Sequence, residues 1–444
     1  MIDIDPFTML PPELATLILS YLDHTSLCRA SAVSKGWASL ASRDNGSLWR
    51  DVFMNRFKPR NIAQAVQMGG AGIGKLDCDK EVWKTKFEAR QAIERNWRTG
   101  TPNAIYFQGH TDSVYCAQFD ERKIITGSRD RTIRVWDINT YECVKVIGGP
   151  AAKPVSPSVT EVALDCHPMT VHRGVNLNGT PAGDAIYHIP REYHSASVLC
   201  LRFDEEIMVT GSSDSTCIVW DLKTWEPKWR LEHHSAGVLD VCFDKRYIVS
   251  CSKDNSICVW DRNNGELVKI LTGHRGPVNA LQMRGSKLIS ASSDGVTRLW
   301  CLNEMKYIKH FNSRDRGLAA VEFSDDGKHV LAGGNDQVIH KYDAETGALV
   351  HTYSGHQGLV RSLFLDSENN RVVSGSYDQA VRVYDFTTGA GLGGAYENWT
   401  TSWILSAKSD YRRIVATSQD GRALLMDFGK GVGPYALSLL KGDN

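Results

Sequence analysis

The chain has 444 residues with 51 Lys+Arg against 51 Asp+Glu and a pI of about 7.2, so no whole-chain field steers it toward nucleic acid or an acidic membrane. No basic stretch precedes an apolar core in the first 25 residues and no run of 18 apolar residues occurs, which reads as a soluble, unsecreted protein. Eleven cysteines, an odd number without a CxxC pair, read as reduced thiols of the cytoplasm, the nucleus or both.

Residues 1–8 (MIDIDPFT) read as a disordered lead outside the fold. From residue 9 the pattern turns helical. Leu14, Ile18 and Leu22 recur at i, i+4 and i+8 behind Pro11 and Pro12, and Asp23 ends the run. Thr25 and Ser26 can cap a second helix carrying Leu27 and Ala30, and Ser34 a third with Trp37, Leu40 and Ala41. About 45 residues with so few core positions bury little surface alone. Leftover apolar side chains are therefore expected to face a partner.

The stretches LPPEL (10–14), ILSYLD (18–23), SLCRASAVSKGW (26–37) and LWRDVF (48–53) resemble the F-box, giving residues 9–55 that assignment. The resemblance implies docking on a Skp-type adaptor, which in that family joins a cullin and a RING subunit. The positions matching its contact pattern are Leu10, Pro11, Leu14, Ile18, Leu22, Leu27 and Val33.

A helical linker is expected over 56–100. GGAGIG at 69–74 breaks the chain, and no preceding strand or GK[ST] ending makes it a phosphate loop. Over 76–97, Trp83 with Phe87 and Ala89 with Ile93 and Trp97 fall at i+4, predicting an amphipathic helix.

Residues 101–444 are dominated by a repeat. Tails such as ITGSRDRTIRVWD, VTGSSDSTCIVWD, VSCSKDNSICVWD and ISASSDGVTRLWC end at Asp137, Asp221, Asp261 and Cys301; weaker copies end at Asp343, Asp385 and Asp427. From Asp221 the spacings are 40, 40, 42, 42 and 42 residues, the period of a four-stranded propeller blade. Seven tails imply seven blades. In units one to four a His (His110, His194, His234, His274) sits 26 residues before the tail Trp, and His356 leads unit six. An Asp lies six residues before each tail aromatic, with a Ser or Thr four before it. The members fail together: unit five offers Arg314, Ala332 and Tyr342, and unit seven Asn398, Ala416 and Met426. Joint loss is what a buried hydrogen-bonded chain predicts, since a half-satisfied network is worse than an apolar one.

These tails, with Gly109-His110, Gly273-His274 and Gly355-His356, resemble the WD-repeat family over about residues 104–427. The fold class expected is thus multidomain, α plus all-β: a small helical F-box, a helical linker and a seven-bladed WD-repeat β-propeller. AIYFQ at 104–108 can close the ring on the last blade, with 435–440 as competitor. Asp137 to Asp221 spans two periods, so either an eroded eighth blade or an insertion sits there; six of the fourteen prolines within 150–190 favour a disordered insertion. Cys166, His167, His172 and His188 in that stretch fit no strong zinc spacing, and neither metal nor cofactor is expected.

Propeller receptors bind where heads and turns converge. Five residues after the head position lie Tyr115, Leu199, Leu239, Asn279, Ala319, Arg361 and Trp403; just before the Asp lie Arg129, Ser213, Lys253, Ser293, Asn335, Tyr377 and Gln419. Aromatics with Arg gather on units six, seven and one, as in a peptide hot spot. The resemblance implies degron-holding Arg residues at the positions of Arg129 and Arg361, with Lys253 a weaker third, and Tyr115, Tyr377 and Trp403 complete the candidate set. Together the two resemblances imply a non-catalytic substrate receptor of a Skp–cullin–F-box ubiquitin ligase that presents a protein, phosphorylated or not, for degradation. The alternative is a propeller scaffold without a degradative role. A nucleic-acid or membrane partner is not expected, nor is an enzyme, for want of a nucleophile elbow or convergent carboxylates.

Overall fold

The computed structural model describes residues 9–41, 46–57, 72–76, 78–79, 82–150, 186–312, 317–397 and 399–442. Residues 1–8 and nearly all of the 150–190 stretch, both expected to be disordered, lie outside the described residues. The chain divides into two compact units, residues 1–98 with 428–444 and residues 99–427. The C-terminal tail thus belongs with the helices, and not with the repeats as the 101–444 boundary supposed.

In the helical unit, α1 (Pro12–Ser20) begins with Pro12 in its first turn, where the missing N–H is no loss. The cap of α2 (His24–Ala30) is Asp23, whose carboxylate accepts from Ser26 N at 2.7 Å; the expected Thr25/Ser26 cap lies inside the helix. Ser34 caps α3 (Lys35–Leu40) as expected, accepting from Trp37 N.

Helix α4 (Gly46–Phe57) buries Trp49, Phe53 and Phe57 against α5 (Val82–Thr99). Trp49 meets Phe87 at 5.7 Å, Phe53 meets Trp83 at 5.6 Å and Phe57 meets Phe87 at 5.6 Å, tilted or edge-on contacts that aromatic rings prefer. F-box and connector therefore share one core. The buried Lys86 of α5 donates to the Ile73 and Lys75 carbonyls, and burial lowers its pKa. Residues 435–440 do not compete for the last blade. They hold α6 (Pro434–Ser438) and the buried Leu440. A Cβ on Gly74, whose φ is +62°, would lie 1.8 Å from the Leu439 carbonyl, so only glycine fits there.

The second unit is a ring of seven sheets. Blade 1 runs from Val114–Phe119, the first of four antiparallel strands, to Cys143–Ile147, and the later blades begin at Val198, Val238, Val278, Leu318, Val360 and Ile404. Asn103–Phe107 pairs antiparallel with Ala423–Asp427, Ala104 opposite Met426, so the last sheet is completed from the start of the unit. That removes the open edge a ring would otherwise carry. Between Asp137 and Asp221 no eighth sheet forms among the described residues. Instead Tyr187–His188 adds a fifth, parallel strand to blade 1, and Arg191 donates to the Pro227 carbonyl of blade 2 at 2.5 Å.

The repeat residues are tied as their joint loss foretold. In blade 1 the Trp136 indole N–H donates to Thr126 Oγ1 (3.0 Å), that hydroxyl meets His110 Nε2 (2.8 Å), and His110 Nδ1 meets Asp130 (2.8 Å). The same chain runs through Trp220, Thr210, His194 and Asp214 in blade 2. Blades 3 and 4 repeat it on Ser250 and Ser290. In blade 5, where Ala332 replaces the hydroxyl, Asp336 is held by His340 Nε2 at 2.5 Å, a partner supplied by the tail strand itself. Burial lowers the pKa of His110, outweighing Asp130. Burial alone would raise Asp130, but the interactions with His110 and Thr132 hold it far below the usual carboxylate range.

Candidate functional site

The first surface is one face of α1. Burial of Ala15 and Leu19 fixes the inward side of this helix, which leaves Leu14, Leu17, Ile18 and Tyr21 at i, i+3, i+4 and i+7 about half exposed or more, Tyr21 at 81%. Leu10 and Leu22 are half-buried, and Pro11 and Val33 are exposed. Leu27 is only 1% exposed. It fills the motif's own core and drops out of the expected contact set. Leu17 and Tyr21 were missed because a one-in-four reading steps past them; the i+3 spacing within ILSYL carried the signal.

A row of large apolar side chains in water is costly and marks an interaction surface. Nothing else in α1 asks for it.

The second surface is the propeller face where heads and pre-Asp turns meet. Each turn is docked to the start of an inner strand: Arg129 N donates to Ser113 O, Lys253 N to Gly237 O, Tyr377 N to Leu359 O and Gln419 N to Trp403 O. This register corrects the reading of unit seven. Trp403 is equivalent to Ser113 and Leu359, not to Tyr115 and Arg361, and the head position falls on the buried Thr400, four residues before Ile404. Asn398, like Arg314 of unit five, lies outside the described residues. The channel mouth is accordingly ringed by Tyr115, Leu199, Leu239, Asn279, Ala319, Arg361 and Leu405.

Freed from the mouth, Trp403 is 43% exposed and stacks on Tyr377 of the neighbouring blade, centroids 4.3 Å apart and rings 10° from parallel. Arg361 stands one residue beyond Val360, the ladder partner of Ser376, so guanidinium and aromatic pair rise from adjacent positions. Its Nη1 donates to Ala319 O at 3.4 Å. Arg129 is 59% exposed and lies 3.7 Å from Asp112, and Lys253 is exposed on blade 3. Of the six side chains expected to hold a degron, the structure brings together Arg361, Tyr377 and Trp403, and puts Tyr115 on the mouth with Arg361. Arg129 and Lys253 stand apart from that cluster.

Below the mouth the channel is lined by Arg202, Asp240, Glu322 and Lys408, two charges of each sign. Lys408 Nζ lies 3.4 Å from Glu322 Oε1, and burial lowers its pKa despite that neighbour. The throat is balanced. Among the described residues no cluster of His, Cys, Asp and Glu could hold a metal ion, and no helix is long and apolar enough to cross a membrane.

Comparison with known proteins places both surfaces. Residues 7–55 match the F-box-like family, and residues 100–137, 189–221, 225–261, 265–301 and 347–385 match the WD domain, G-beta repeat. The chain is built of an F-box-like segment and WD repeats. Units five and seven, where the polar chain is eroded, are those the repeat family does not match.

Among curated relatives, a "Probable E3 ubiquitin ligase complex SCF subunit sconB" of Arthroderma otae is 33% identical over 168 residues, covering 33% of this chain and 25% of the relative. An F-box protein of Saccharomyces cerevisiae is 34% identical over 161 residues with the same two shares. The matched part thus spans about a quarter of the length of these relatives. The crystal structure of the WD40 β-propeller domain of Doa1 aligns with a TM-score of 0.59 at 21% identity, covering 75% of this chain and 99% of that one, a likeness of fold.

Proposed function

We propose that this F-box and WD-repeat protein is the substrate-receiving subunit of a Skp–cullin–F-box ubiquitin ligase. One observation carries the reading: a single chain joins an F-box-like helix that leaves Leu14, Leu17, Ile18 and Tyr21 in water to a propeller whose face gathers Arg361, Tyr377 and Trp403. The relative named as an SCF subunit supports it. The α1 face docks on a Skp-type adaptor, and through it on cullin and RING subunits. The propeller face holds a protein segment. The chain itself makes and breaks no bond; it contributes effective concentration and orientation, which are worth orders of magnitude to a tethered reaction.

Co-expression with a Skp-type adaptor, followed by size-exclusion chromatography with light scattering, tests the handle. A one-to-one complex is expected from the intact chain and none from Leu14→Asp/Ile18→Asp. Ubiquitination of a captured protein after adding cullin, RING and conjugating enzymes tests the outcome. Complex formation without ubiquitination would leave a scaffold instead.

A further inference from the structure

We infer that the propeller face recognises an unphosphorylated segment that sets one large apolar or aromatic side chain beside a single carboxylate. This rests on the receptor reading above and names the substrate class of that site.

The argument is a count of charges and flat surfaces. A phosphoryl group brings close to two negative charges and three acceptor oxygens, and is held where two or more cations converge. At this face Arg129 is already drawn toward Asp112, and Lys253 rises from a blade that adjoins neither blade 1 nor blade 6. Other turn positions that could add a cation carry Ser213, Ser293, Asn335 and Gln419. The throat below adds no net field, since Arg202 and Lys408 are matched by Asp240 and Glu322. One guanidinium remains. Among the described residues Arg361 has no carboxylate within ion-pair distance, and its only hydrogen bond is the long one to the Ala319 carbonyl.

One guanidinium suits one carboxylate. Beside it the Tyr377–Trp403 stack presents a rigid, partly exposed aromatic platform, the kind of surface that anchors a buried side chain in an interface hot spot. The pair is locked ring to ring, so little side-chain entropy remains to be lost on binding.

The test uses the intact chain, co-purified with its adaptor, and three fluorescent peptide pools of about twelve residues. The first places Phe or Leu next to Glu; the second replaces that Glu with two phosphothreonines; the third keeps Glu but replaces the apolar residue with Ser. Binding is read by anisotropy. Only the first pool is expected to bind, with affinity falling about tenfold or more in Trp403→Ala and in Arg361→Met. Arg129→Ala and Lys253→Ala are expected to change it less than about twofold. Tighter binding of the phosphorylated pool, or dependence on Arg129 and Lys253 in place of Trp403, overturns the inference. So does the absence of binding by every pool. Adaptor complex formation and ubiquitination are scored on the same samples, so loss of the receptor reading is told apart from an error about the class of segment. Melting curves of each variant exclude a folding defect as the source of any loss.

Discussion

Trp97 and Phe428 stack face to face, ring centroids 3.7 Å apart and planes 11° from parallel. One ring ends the connector helix and the other begins the C-terminal tail. The adjacent Asn96 amide donates to the Phe428 carbonyl and to the Lys430 carbonyl, both at 2.8 Å, so polar and apolar contacts fasten the same spot.

Removing this contact should therefore act on the helical unit. Trp97 is 1% exposed, and truncating a buried Trp leaves a cavity costing about 3–5 kcal/mol. Trp97→Ala, or deletion from Phe428 onward, is expected to lower the urea midpoint of the α4–α5 core, read by the fluorescence of Trp49 and Trp83. Phe428→Leu, which keeps most of the volume, should cost about 1.5 kcal/mol or less.

The propeller was legible because each blade needs the same unlike partners in the same order; an Asp, a His, a hydroxyl and an indole N–H at that fixed spacing close into one buried hydrogen-bonded chain and into little else. Legibility failed where that chain is absent. In unit seven, counting back as far as in unit six put the head at Asn398, and only the ladder register shows that Thr400 fills the place and that Trp403 leans toward Tyr377. Helical spacing likewise gave α1 but not its sidedness, because Leu14 and Leu19 are both apolar and only packing shows which is inside. The tail's place could not be read at all, since nothing local to Phe428 names Trp97 as its partner.

Thr126 is the hub of its chain, accepting from Trp136 and bonded to His110. Thr126→Val keeps the shape and orphans both neighbours, which should cost about 1–3 kcal/mol per stranded group. Acid should act on the same network. His110, His234 and His274 all have pKa values lowered by burial, so the unfolded chain takes up protons first as pH drops below about 6.5, and stability falls from there. The depressed carboxylates of Asp130 and Asp214 extend the loss below about pH 4. Urea melts across pH 4–8 should show a plateau above neutrality and a decline below it, shallower in Thr126→Val if the blade has already loosened.

On α1 the expected contrast is between face and core. Leu17→Asp and Tyr21→Asp alter side chains already in water and should shift stability by about 0.5 kcal/mol or less, while reducing adaptor capture as strongly as Ile18→Asp. Leu27→Ala should do the reverse, costing about 2–5 kcal/mol of stability and affecting capture only through partial unfolding. Equal loss of capture without destabilisation in Leu27→Ala would return that residue to the contact surface.

Asp410 makes the opposite pH prediction to the histidines. Its carboxylate accepts from the Arg412 and Arg413 amides in the turn opening the second strand of blade 7, yet is 3% exposed, and burial pushes its pKa up to about 6 although Arg413 stands 3.7 Å away. The folded chain therefore holds a proton that the unfolded chain releases near pH 4, and this group's contribution to stability declines as pH rises from about 4 to 6. Asp410→Asn keeps an oxygen to accept both amides and removes the buried charge. It is expected to raise stability by about 1–3 kcal/mol at pH 8 and by progressively less toward pH 4, measured by paired urea melts. A uniform loss at every pH would mean that the ion pair with Arg413 outweighs the burial of the charge.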